Sequence, residues 1–345
     1  MSDLAFVTGG TGFVGANLVR LLLERGFRVR CLARPGSDRS NLKGLSAEII
    51  EGDLLDKASL KRGCAGIRYG FHVAADYRIW VPNPEEMYRT NVEGTVNVLR
   101  AAADAGAERV VYCSSVAAIR PPKGSGSSTE EDQYEDDTEI VGVYKKSKWR
   151  AERAALSLAK EGLPVVIVNP AAPIGPRDIK PTPTGKILVD FLNRKMPSYI
   201  DTGLNVVDVR DVASGHLLAA EKGRIGERYI LGGENLTLKE ILDEMSHLTG
   251  LSAPRFKTPY AVAWLVGAID TLRLSIIGGT PVAPLDAVRM ARYRMFYDAS
   301  KARRELGFSS RPSREALAAA INWFCSNGYA ARPSQFPRLP EGADL

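Results

Sequence analysis

The chain has 345 residues, 45% of them hydrophobic and 25% charged, which gives length for a sizeable core and the composition of an ordinary globular protein. A net charge of +6 spread along the chain argues against nucleic-acid binding and leaves an anionic substrate or cofactor, or plain surface charge, as its use. Cys31, Cys64, Cys113 and Cys325 form no CxxC pair, and His72, His216 and His247 lack metal-ligand spacing; no metal centre and a reduced, cytoplasmic setting are expected.

Leu4–Thr8 reads as a strand running straight into a glycine turn, with no signal peptide before it. Phe13–Arg25 follows as a helix, with Leu18, Leu21 and Leu22 at helical spacing. Arg28–Ala33, Ala47–Glu51 and Tyr69–Ala74 are the next strands, and a long helix is expected over Pro84–Ala105, ended by Gly106. Arg109–Ser114 is a fifth strand, Val143–Glu161 a helix and Val165–Asn169 a sixth strand. This alternation predicts an α/β fold, a Rossmann doubly wound parallel sheet over residues 1–170.

The Gly- and Ser-rich segment Pro121–Thr138 is expected to be an exposed loop, either a flap over the site or an inert excursion. After Asn169 five prolines between Pro170 and Pro183 break regular structure. Short strands at Val206–Val209 and Arg228–Leu231 and helices at Leu238–Leu248 and Arg314–Phe324 then predict a smaller, irregular substrate lobe over 171–330. Residues near 205–225 are expected to return to the first domain, and 331–345 to form a tail. No stretch reaches the roughly 18–20 apolar residues needed for a membrane span. Tyr260–Ile277, the most apolar piece, is interrupted by Asp270 and Arg273; contact with a membrane surface is one reading of it, and a packed helix is the preferred one.

Gly9, Gly12 and Gly15 follow a strand and open a helix, the setting of a dinucleotide-binding turn. In such a turn the amides of Phe13 and Val14 and the helix dipole face the pyrophosphate. The second strand ends Ala33-Arg34-Pro35 with no carboxylate for a ribose 2′-hydroxyl, while Arg34 can pair with a 2′-phosphate, helped by Ser37 and Arg39. NADP(H) is therefore favoured over NAD(H). Asp53 follows the third strand, where its carboxylate can accept from an adenine amino group or simply form the turn. The small residues Ala74 and Ala75 end the fourth strand and let a cofactor lie against the backbone.

Tyr144 and Lys148 stand four apart on one helix face. An ammonium and a nicotinamide cation beside the phenol would lower its pKa from about 10 toward neutrality. Ser115, at the end of the fifth strand, can hold a substrate oxygen beside it, with Ser114 bonded to backbone. Together these groups suit hydride transfer at a carbinol or ketone carbon.

With these motifs the chain resembles the extended short-chain dehydrogenase/reductases of the NAD-dependent epimerase/dehydratase type, over roughly residues 3 to 328. The matching positions are Thr8–Gly15, Asp53, Leu54, Ala74, Ala75, Asn91, Ser115, Tyr144, Lys148, Asn169 and Pro170, with Asn91-Val92-Glu93-Gly94-Thr95 and Val207–Ala213 as further segments. The resemblance implies cofactor contacts at Leu54, Asn91, Pro170 and Ile174, and a homodimer built on the helices of Pro84–Ala105 and Val143–Glu161. Asn169–Gly185, Asp201–Asn205 and Tyr229–Leu236 are similar to the hopanoid-associated sugar epimerases of bacteria. That likeness implies a sugar-nucleotide substrate; for it Arg177, Lys180 and Lys186 can meet a nucleotide diphosphate or other anion, or form a solvated rim. Arg34 instead resembles the NADPH-using dihydroflavonol reductases and hydroxysteroid dehydrogenases, and so implies a lipid or polyketide-like ketone or alcohol. Trp264, Leu265 and Ile269 would then wall a pocket, or pack as core. A non-catalytic NADP-sensing protein is a third reading, disfavoured by the tyrosine-lysine pair.

Overall fold

A computed structural model describes residues 3–78, 81–122, 124, 126–277 and 285–336, with backbone alone at 274–277. β1 (Leu4–Thr8), α1 (Phe13–Glu24), β2 (Arg28–Ala33), β3 (Ala47–Glu51), α2 (Lys57–Cys64) and β4 (Tyr69–His72) form the first half of the sheet layer. The expected long helix runs as α3 (Pro84–Tyr88), one π turn over Arg89–Glu93, and α4 (Gly94–Asp104). Then come β5 (Arg109–Cys113), α5 (Val143–Lys160) and β6 (Val165–Pro170).

The second half begins with β7 (Ala172–Ile174), α6 (Pro183–Leu192), β8 (Ser198–Tyr199), β9 (Gly203–Asp208), α7 (Val209–Lys222), β10 (Arg228–Leu231) and β11 (Glu234–Thr237). It continues with α8 (Leu238–Thr249), β12 (Phe256–Lys257), α9 (Tyr260–Ile277), α10 (Leu285–Met290), β13 (Arg294–Met295), α11 (Ser300–Leu306) and α12 (Ser313–Ser326). Helix α6 starts inside the proline-rich segment because Pro183 takes the first helical turn, where no N–H is needed, and Thr182 caps it.

Seven parallel strands form the main sheet in the order β10-β6-β5-β4-β1-β2-β3. β10 belongs to this sheet, although the sequence analysis grouped it with the short strands of the substrate lobe. α1 and α7 cover one face, while α2, α4 and α5 cover the other. The strands are near-continuous apolar runs because both faces are buried. The chain order reverses between β1 and β4, and the residues after these two strands define the crevice where open α/β sheets bind ligands. A further apolar cluster joins α6, α8 and α12 to β7 and β9.

Three expectations change. The 121–138 loop is tethered: Ser128 bridges to Tyr297, and buried Glu130 accepts from the Ile230 amide at 2.7 Å. The outer side chains of α9 face solvent, so Trp264, Leu265 and Ile269 neither wall a pocket nor pack as core. The body touching α9 is met by its small residues instead. In the expected tail, Phe336 is buried, and residues 337–345 lie outside the described residues. Among the described residues no helix is long and apolar enough to cross a membrane.

Candidate active site

The glycine turn is built by close backbone approach. Gly9 has φ +75°, and a Cβ there would stand 2.6 Å from the Ala74 nitrogen. A Cβ on Gly15 would overlap the Gly9 carbonyl oxygen, while the Gly12 amide donates to that same oxygen at 3.0 Å. α1 begins at Gly12 with no side-chain cap and no acid in its first turn, so the amides at Phe13 and Val14 face outward without a competing carboxylate. These features fit a dinucleotide pyrophosphate.

Buried His72 pins the two strand ends that shape this cradle. The Thr95 hydroxyl donates to the Asn91 carbonyl at 2.6 Å, so the imidazole must donate to Thr95 through Nε2, at 2.9 Å. Its Nδ1 then accepts from Thr8 Oγ1 at 2.8 Å, and Thr8 Oγ1 accepts from the Ala74 amide at 3.3 Å. Burial, helped by the Lys148 charge, pushes His72 down to about 3, which keeps it neutral. The sequence analysis read this histidine as structural; it gave no sign of the relay.

Arg34 follows β2 and is exposed, and its guanidinium has no hydrogen-bond or ion-pair partner among the described residues. Its expected helpers are engaged elsewhere: Ser37 donates to the Arg34 carbonyl, and Arg39 pairs with Glu51 at 2.5 Å. Asp53 accepts from the Leu55 amide at 2.9 Å, and buried Leu54 packs under Gly94. Pro170 ends β6, and Ile174 is buried where β7 pairs with β9. Arg177 approaches α1: its guanidinium meets Asn17 Oδ1 at 3.4 Å, and Asn17 and Asn41 donate to the carbonyls of Pro176 and Arg177. It thus stands at the glycine-turn end of the sheet.

The π turn aims Asn91 into the protein. Its Nδ2 donates to the Asp76 carbonyl and to Ser147 Oγ, both at 2.8 Å, and its Oδ1 accepts from the Asp76 amide at 2.7 Å. The carboxamide therefore locks the segment after β4 to the start of α5.

Tyr144 lies in the first turn of α5 with its phenol near Ser115, whose Oγ accepts from the Ala117 amide at 3.1 Å. Burial pushes the phenol up to about 12, with Ser115 opposing. The lowering expected from Lys148 is not supplied by the chain alone, because the ammonium is turned to the Cys113 carbonyl at 2.7 Å and sits 4.8 Å over the Tyr112 ring. Burial lowers Lys148 to about 8, with Cys113 and Glu152 opposing. The Ser114 hydroxyl is buried without a partner among the described residues; its amide, rather than its side chain, bonds the backbone, to Val168 at 2.8 Å.

Glu152, one turn beyond Lys148, went unnoticed in the sequence. It is buried, accepts from Asn169 Nδ2 at 2.6 Å and pairs with Arg228 at 2.9 Å. Asn169 also donates to the Ser115 carbonyl at 3.0 Å. Glu152 thereby ties α5 to the strand end that carries Ser115. The 144–148–152 spacing was the available signal.

Sheet, glycine turn and Ser-Tyr-Lys cluster together define an extended short-chain dehydrogenase/reductase, an NAD(P)-dependent oxidoreductase or epimerase. The model described as NAD dependent epimerase/dehydratase family matches residues 5–232, and the chain belongs to that family. It is 49% identical over 335 residues to a protein of Synechocystis sp. named "Putative dihydroflavonol 4-reductase", covering 95% of this chain and 96% of that one. It is 36% identical over 328 residues to sterol demethylase protein B of Methylococcus capsulatus, covering 93% and 98%. A nucleoside-diphosphate-sugar epimerase from Pseudomonas aeruginosa has a similar structure, with TM-score 0.80 and 30% identity over 96% of this chain and 100% of that one.

Proposed function

We propose that this protein is an NADP(H)-dependent oxidoreductase acting on a carbinol or ketone carbon of an apolar, lipid- or polyketide-like substrate. The observation that carries this reading is the placement of Tyr144 near Ser115 at the C-terminal end of β5, with Lys148 one turn away on α5. Bound nicotinamide supplies or accepts the hydride and, when oxidised, adds a positive charge. Ser115 holds the substrate oxygen. In reduction Tyr144, a neutral phenol at working pH, gives its proton to that oxygen as the carbonyl becomes a carbinol. Lys148 holds the cofactor ribose and keeps positive charge near the phenol.

Gly9, Gly12, Phe13, Val14 and Gly15 hold the pyrophosphate in this reading, and Asp53 and Leu54 flank the adenine. Ala74, Ala75, Pro170 and Ile174 line the nicotinamide half, with Asn91 fixing that wall. Arg34, exposed and with no partner for its guanidinium among the described residues, takes the 2′-phosphate. The relatives named for dihydroflavonol and sterol chemistry support a ketone or alcohol substrate. The protein pairs as a homodimer through α3, α4 and α5.

A second reading, a sugar-nucleotide epimerase of the hopanoid-associated kind, is favoured by the Asn169–Gly185 segment and the sugar-epimerase neighbour. Cofactor balance separates the two. A reductase consumes one NADPH per product, whereas an epimerase returns its cofactor unchanged. Stoichiometric NADPH loss with a ketone panel is expected; turnover of a sugar nucleotide without net NADPH loss would overturn the reductase reading.

A further inference from the structure

We propose that helix α9 docks this protein, lying flat, on an anionic lipid surface. The helix is inside out for a domain that buries its own core. Toward the body it presents Ala263, Gly267 and Asp270, all buried. Outward it presents Leu265, Val266 and Ile269, at 55%, 51% and 60% exposure, continued along the same stripe by Val262 and Leu272. Of the ten large hydrophobic side chains exposed among the described residues, seven lie between Phe256 and Leu272, so the apolar surface is one patch and not scatter.

Charge identifies the occupant. Residues 255–294 carry six arginines and lysines against two aspartates, a net +4 of the chain's +6. Asp201 offsets part of this rim by pairing with Lys257 and Arg294, while the guanidinium groups of Arg255 and Arg292 have no partner among the described residues. A two-fold contact between copies through α9 would set one cationic rim against another. An anionic leaflet neutralises the rim while its acyl boundary takes the apolar stripe. The helix is too short on apolar residues to span, so it lies in the plane of the interface.

The patch adjoins the proposed site. α10 packs on α9, and Asp286 of α10 faces Gly142 at the start of α5. Lys145, next to Tyr144, donates to the Met295 sulfur at 3.8 Å. α9 is thus linked through α10 and Met295 to the start of α5, which carries Tyr144. The inference is independent of the reaction assigned above, since its readout is binding alone.

The test is flotation of the full-length protein with phosphatidylglycerol-containing vesicles and with pure phosphatidylcholine vesicles. Binding to the anionic vesicles alone, weakened by salt, is expected. Leu265→Ser with Ile269→Ser should lower the bound fraction about tenfold or more. Arg255→Glu with Arg292→Glu should abolish the preference for anionic lipid in a variant that keeps the apolar stripe. Both pairs are solvent-facing, so an unchanged Tm accompanies the loss. Absence of binding, or binding that survives both double variants, would overturn the proposal. So would a dimer, seen by light scattering, that the serine pair dissociates without changing vesicle binding.

Discussion

The proposed choice of NADP(H) turns on Arg34. Its polar neighbours Ser37 and Arg39 are engaged by the Arg34 carbonyl and by Glu51, so in that proposal the guanidinium meets the 2′-phosphate alone. A charge-assisted bond of about 1.5–3 kcal/mol corresponds to roughly ten- to hundredfold in affinity. Arg34→Ala should weaken NADPH by about that factor and leave NADH nearly unchanged, as measured by calorimetric titration. Equal weakening of both would remove the 2′-phosphate assignment. The exposed Arg34 at a strand end without a carboxylate was legible because both features are visible in one dimension. The His72 relay was not, since its partners Thr8 and Thr95 lie 64 and 23 residues away and meet only when the sheet forms.

Helix α5 carries three groups on one face at successive turns, and the third stabilises the placement of the first two. Glu152 and Arg228 are 2% and 10% exposed at their side chains, so removing one strands the other in a low-dielectric interior. Glu152→Ala is expected to destabilise the fold by about 3–5 kcal/mol in denaturant titration, whereas Glu152→Leu with Arg228→Met should recover most of that loss. A single variant as stable as the parent would show that the network does not hold α5. Tyr144 and Lys148 were readable from spacing and from Ser115 upstream. A glutamate one turn further reads as a solvated face until Asn169 and Arg228 close on it. For the same reason α9 read as core: an apolar run at helical spacing does not say which side faces the body. The π turn at Asn91 was equally hidden, because its apolar spacing continues a regular helix.

At the scale of the whole molecule, acid should loosen the fold partly through buried imidazoles. Burial pushes His216 down to about 4, with its bond to the Val212 carbonyl opposing. In the unfolded chain the same imidazole gains a proton below about pH 6.5. The unfolded state therefore binds more protons between these values, and stability falls as pH drops through that window. Buried Asp178, raised to about 6, acts in the opposite sense there, so the contribution is best isolated by substitution. The stability gap between the parent and His216→Phe should shift by about 1.4 kcal/mol per pH unit between about pH 6 and 4.5, in favour of the variant as acid is added. Parallel curves would mean that the imidazole titrates as it does in water.

Most direct of all is turnover in Tyr144→Phe, which keeps the ring and removes only the proton. With NADPH and a ketone that the parent reduces, the account expects a rate lowered about 10²- to 10⁴-fold while thermal stabilisation by NADPH is retained. Reduction at the parental rate would contradict it, because the proton would then come from a group other than the phenol beside Ser115.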